Sequence, residues 1–123
     1  MRDVDDERNE PMQEVPKRIK KLVREFGTVA HERDLRKALT ELGIAFARWE
    51  REEIDSFELN DRVHQFHQNT SREIWKRYAS SHLEPAVASA VATGILQKHE
   101  LPPELVEHLA GLIEFYEHDL AES

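Results

Sequence analysis

His64 and His67 stand three residues apart, which on a helix puts two imidazoles on adjacent turns of one face. Neutral imidazoles so placed can share one metal ion, and Asp61 or Glu58 could add an oxygen ligand. The same residues also suit a purely structural role at the edge of an apolar stripe, hydrogen-bonded to neighbours such as Asn60. Spacing alone does not decide between the two. Helical metal motifs place further ligands at defined positions, and no H-E-x-x-H occurs. Glu104 with His108 and Glu114 with His118 form i,i+4 pairs, which read first as surface pairs worth a few tenths of a kcal/mol. They could join His64 and His67 only if folding brought the two segments together. The expectation is a chain without metal or cofactor.

Arg62 and His67 offer a second chemistry: a His acting as general base beside an Arg that stabilises the charge of a phosphorane-like transition state. The spacing resembles that of small all-α ribonucleases of the HEPN type, in which an Arg is followed within a few residues by a His near a helix end. Arg77 and His82, and Arg24 and His31, also fall within that spacing. With 11 Arg and 7 His in 123 residues, such pairs arise by chance. The polar residue those enzymes carry straight after the Arg is Val63 here. A third reading, a helix-turn-helix with Thr70, Ser71, Arg72, Lys76 and Arg77 facing DNA, is opposed by a net charge of −8 and by the lack of a Gly at the turn. No Gly-rich phosphate loop, nucleophile elbow or nucleotide fingerprint is present. The balance falls against an enzyme.

These residues must be held by helices. Hydrophobic residues make up 39% and charged residues 34%, a well-solvated composition, and the few Gly and Pro (4 and 5) argue against an all-β fold with many turns. With no Cys there are no disulfides or thiolate sites, and with no apolar run of membrane length or leader-like start the expected setting is cytoplasmic. Charge is unevenly spread: residues 1–14 sum to −4, 15–53 to +3, 54–79 to zero and 80–123 to −7. The positive part is concentrated in the run Lys17-Arg18-Ile19-Lys20-Lys21-Leu22-Val23-Arg24, which suggests attraction to the acidic C-terminal third or, alternatively, phosphate binding. Residues 1–14 read as a disordered acidic tail and 15–123 as one all-α helical domain.

Helix formers fill Lys17–Glu53, with Pro16 suited to the first turn. Ile19, Leu22, Val23, Phe26 and Ala30 form one stripe, and Leu35, Leu39, Leu42, Phe46 and Trp49 form another roughly 180° away. Either the helix kinks or breaks near Gly27-Thr28, or it runs straight and buries its two halves against different partners. The second option asks for a dimer. Asp55 with Glu58 makes a capping box, stapled by Ile54 and Leu59, for a helix from Ser56 to about Gln68 with Leu59, Val63 and Phe66 inward. Thr70 with Glu73 and Ser81 with Glu84 repeat the box, starting a short helix with Ile74, Trp75 and Tyr78 and a longer one over about Leu83 to Lys98. In the latter, Ala86, Ala90 and Gly94 form a ridge of small residues suited to close packing or to a subunit interface. The last helix, about Pro103 to Leu120, turns Leu105, Leu109, Leu112, Ile113, Tyr116 and Leu120 inward and leaves Phe115 on its flank beside Gly111, as an anchor for a second subunit.

The sequence thus describes a bundle of about five helices acting as a non-enzymatic interaction protein. Its expected partner is a second copy of itself, with neither membrane nor nucleic acid and with any small ligand unassigned. The expected interface residues are Leu35, Leu39, Phe46, Trp49, Ala86, Ala90, Gly94 and Phe115.

Overall fold

A computed structural model describes residues 15–122; the expected acidic tail, 1–14, lies outside the described residues. Those residues form five α-helices and no strand, so the fold is all-α.

The first helix, α1 (Lys17–Glu50), is continuous over 34 residues, about 51 Å at 1.5 Å per residue. Of the two alternatives the straight helix is the one seen, with no break near Gly27-Thr28. Gly27 is buried, and a Cβ there would stand 3.0 Å from Leu83 Cδ1. Its smallness admits a side chain from another segment rather than stopping the helix. Thr28 donates its hydroxyl to the Arg24 carbonyl one turn back at 3.1 Å. The helix ends instead at Glu52, which takes a left-handed φ of 61°. Glu52 N–H donates to the Trp49 carbonyl and Glu53 N–H to the Arg48 carbonyl, both at 2.9 Å, a Schellman end with Glu where Gly is usual.

Asp55 caps α2 (Ser56–Gln65) by accepting from Glu58 N–H at 2.8 Å, as the sequence predicts. Only half of the box forms, because the Glu58 carboxylate accepts from Arg62 at 2.6 Å instead of turning back to the cap. Ile54 and Leu59 are buried with Ala45 of α1, so the staple is present. The second expected box, at Thr70, is not used. A single π-helical turn (Phe66–Thr70) joins α2 to α3 (Ser71–Ala79), and Thr70 is itself helical with no cap bond. Val63, expected inward, is exposed, as is Trp75 on α3.

The Ser81 box is absent too. Ser80, not Ser81, bonds locally by accepting from His82 N–H at 3.0 Å, and α4 (Glu84–Ala92) begins after Leu83 without a side-chain cap. That helix stops well short of Lys98 because Gly94 turns left-handed at φ 87°, and Leu96 N–H returns to the Ala90 carbonyl at 3.1 Å. A 3₁₀ turn (Lys98–Glu100) with its own Gln97/Glu100 capping box leads to α5 (Pro103–Ala121). In α5, Leu112 and Leu120 are exposed, leaving Leu105, Leu109 and Ile113 as the buried stripe.

The main core joins Ile19, Leu22, Val23 and Ala30 of α1 to Ile74 and Tyr78 of α3, to Val87 and Val91 of α4, and to Leu105, Leu109 and Ile113 of α5. Leu96 and Leu101, within the α4–α5 connection, complete it. Ala86 and Ala90 are buried within this core and let α4 approach its neighbours closely. Arg33 clamps the assembly from outside: its two terminal nitrogens donate to the Glu100 carboxylate at 2.9 and 2.8 Å, and one also reaches the Ile95 carbonyl at 3.0 Å. That fork, with Gln97 N–H donating to the same carboxylate, holds the Glu100 carboxyl down to about 2. No helix is long and apolar enough to cross a membrane among the described residues.

Candidate functional site

The residues with chemistry in the sequence do not converge. His64 and His67 are exposed, the first on α2 and the second on the π turn. Asp61 accepts from the Gln65 amide at 3.1 Å, and Arg62 spends its guanidinium on Glu58. His108 and His118 ride on α5, which packs against α4 and the N-terminal half of α1, away from α2, and His118 pairs with Glu122 at 3.1 Å. Among the described residues, no three His, Cys, Asp or Glu side chains stand close enough to hold a metal ion.

The structure does build one polar cluster that spacing does not reveal. Asp34, with a side chain 13% exposed, accepts from Arg77 Nη1 at 2.5 Å and from the Tyr78 hydroxyl at 3.0 Å. His31, one turn before Asp34, stacks on the Tyr78 ring with centroids 4.8 Å apart and planes 10° from parallel. Burial, and then the Asp34 carboxylate, push the Tyr78 hydroxyl up to about 12, so it remains a protonated donor over the working pH range. A shallow cavity of about 240 Å³ beside it is lined by Asp34, Lys37, Glu41, Glu73 and Arg77. The cluster thus leaves Asp34 engaged twice and the Tyr78 hydroxyl protonated. It fastens α1 to α3. Its two halves, His31 with Asp34 and Arg77 with Tyr78, lie more than 40 positions apart, and the partial burial of Asp34 sets it apart from the many exposed acids.

What remains is an apolar surface. Along the C-terminal half of α1, Ala45 is buried against α2, and Leu35, Ala38 and Leu42 are half-buried. Leu39 stays 48% exposed, Phe46 43% and Trp49 39%. The Trp49 indole donates to Ser56 Oγ at 3.0 Å, which holds the ring over the start of α2. Gly43 lies between Leu39 and Phe46 on the open side, and a Cβ there would meet nothing within 4 Å. A shallow depression of about 280 Å³ runs along the same face, lined by Glu32, Leu35, Arg36, Leu39 and Thr40.

The other expected interface residues are scattered. Ala86 and Ala90 are buried in the chain's own core, and Gly94 forms a helix end rather than continuing their ridge. Phe115 is 61% exposed and touches Tyr116 edge-on at 5.2 Å. Gly111 is open, as expected of a dent beside it. The chain matches no protein-family model, no curated protein and no solved structure.

Proposed function

We propose that the protein is a non-enzymatic interaction module that self-associates through the C-terminal half of α1. The observation that carries this reading is the one-sided cover of that half: α2 and α3 shield Ala38, Leu42 and Ala45, while Leu39 and Phe46 are left open on a straight helix. Leu35, Leu39, Leu42, Phe46 and Trp49 alternate four and three residues apart, the repeat that keeps a seam turned toward a neighbouring helix.

A second copy is the occupant that fits. When two α1 helices cross antiparallel about Gly43, a two-fold axis sets Leu39 of each copy near Phe46 of the other, and Arg36 opposite Glu50. Both charges are exposed and flank the apolar patch, and among the described residues Arg36 pairs with Glu32 one turn away at 2.8 Å. Gly43 then has a use. A mid-helix Gly costs about 1 kcal/mol relative to Ala, and here it removes the side chain that would separate the two helices at their closest point.

Light scattering at micromolar concentration is the test. The expected mass is twice 14.4 kDa, and Phe46→Glu should return it to one chain while leaving the helical content unchanged. A monomer at every concentration, or a dimer indifferent to Phe46→Glu, contradicts the reading.

A further inference from the structure

The basic run Lys17–Arg24 is divided on folding. Ile19, Leu22 and Val23 enter the core, Arg18 pairs with Glu104, and Lys21 lies 4.0 Å from Glu25. Lys20 and Arg24, one turn apart, make no ion pair among the described residues. They form one wall of a cavity of about 280 Å³. Ser81, His82, Leu83 and Glu84 form the other wall, and Val23 and Leu83 supply its apolar surface. Gly27 creates this proximity by admitting Leu83 against α1, which draws the α3–α4 connection over the two cations.

We propose that this cleft binds the phosphate group of a small phosphate ester. Arg24 offers a planar fork that can take two oxygens of one phosphate, and Lys20 adds a mobile point charge beside it. The Ser81 hydroxyl and the His82 ring can donate from the opposite wall, so an anion between the walls meets donors on both sides. Val23 and Leu83 give the esterified group an apolar surface to lie on. Glu84 is the single carboxylate in the lining, and its charge opposes a dianion. Extended nucleic acid fits less well, because residues 80–123 carry −7 and Arg18 and Lys21 are already engaged.

Titration calorimetry at constant ionic strength tests this site independently of self-association. The probes are inorganic phosphate, ribose 5-phosphate and a single-stranded oligonucleotide, with sodium chloride as the blank. The ester is expected to bind, and more tightly than inorganic phosphate. Arg24→Gln and Lys20→Gln should each weaken it about tenfold, the usual scale for one charge-assisted hydrogen bond. Glu84→Gln should strengthen it, an effect that a general loss of fold could not produce. The proposal is overturned by any of three results: no heat with the ester, equal affinity in wild type and Arg24→Gln at an unchanged melting temperature, or an oligonucleotide that outcompetes the ester.

Discussion

The two halves of α1 are built from similar residues and meet different fates. From Ile19 to Ala30 the helix has α3, α4 and α5 around it; Ile19, Leu22, Val23 and Ala30 are buried, and Phe26 and Val29 are partly buried against the same core. Beyond Asp34 it has, among the described residues, only the α2–α3 arm along one side, and Leu39 and Phe46 keep nearly half their surface exposed. Stripe strength does not separate the halves, since each carries five apolar residues at helical spacing. The number of neighbouring helices does. An amphipathic stripe states that burial is wanted; what supplies it is decided by the rest of the chain or by another molecule.

The largest expected effects come from repeating one substitution on both sides of this division. Leu109→Ala, at a side chain 1% exposed in the main core, should destabilise by about 2–5 kcal/mol. Leu39→Ala should cost less than about 0.5 kcal/mol in protein diluted until monomeric, and should weaken association instead. Denaturant midpoints at two protein concentrations measure both. Equal losses at the two sites would erase the distinction. Next comes Asp34→Ala, at the border of the halves: it removes the acceptor of Arg77 and Tyr78 and should cost roughly 1–3 kcal/mol. Hydrogen exchange would then speed up in α3 more than in α5. Asp55→Ala should cost about 1 kcal/mol by removing the α2 cap. Unchanged urea unfolding would mean that this bond contributes nothing.

The smallest effect is a pH dependence belonging to the well-covered half. Arg33 holds the folded Glu100 carboxyl down to about 2, against 4.5 as its ordinary value. A lowered folded value means a contribution that is complete above about 4.5 and fades as the pH falls toward 2. The stability gap between wild type and Glu100→Gln should therefore be level near neutrality and close across that acid window. A gap that widens on acidification would reverse the sign.

Much of the architecture was legible because it is local. The all-α class, the Asp55 cap, the Ile54–Leu59 staple and the opposed stripes of α1 each depend on residues within a few turns of one another. The misreadings share a different cause. Gly27 resembles a helix break until Leu83, far along the chain, is seen to occupy its space. Thr70 and Glu73 match a capping box, yet the chain continues through a π turn and leaves the box unused. Ala86 and Ala90 make a ridge that serves internal packing as well as it would a partner. Glu52 adopts a left-handed φ that the identity of a Glu gives no reason to expect. The Asp34 cluster and the Lys20–Arg24 cleft both arise from tertiary proximity, so neither has a spacing to recognise.

The lack of any Cys allows the most direct test of self-association through α1. Arg36→Cys with Glu50→Cys would set a thiol of each copy opposite one of the other while keeping the two thiols of one chain about 21 Å apart, and Glu107→Cys would place one on α5, away from the axis. Treatment with a short bis-maleimide of about 8 Å span, comparable to the separation of packed helices, should link the chains carrying both Arg36→Cys and Glu50→Cys into covalent dimers and leave the Glu107→Cys chains single. Equal linkage in the two proteins, or none between residues 36 and 50 under conditions where light scattering reports a dimer, would contradict the antiparallel α1 pairing.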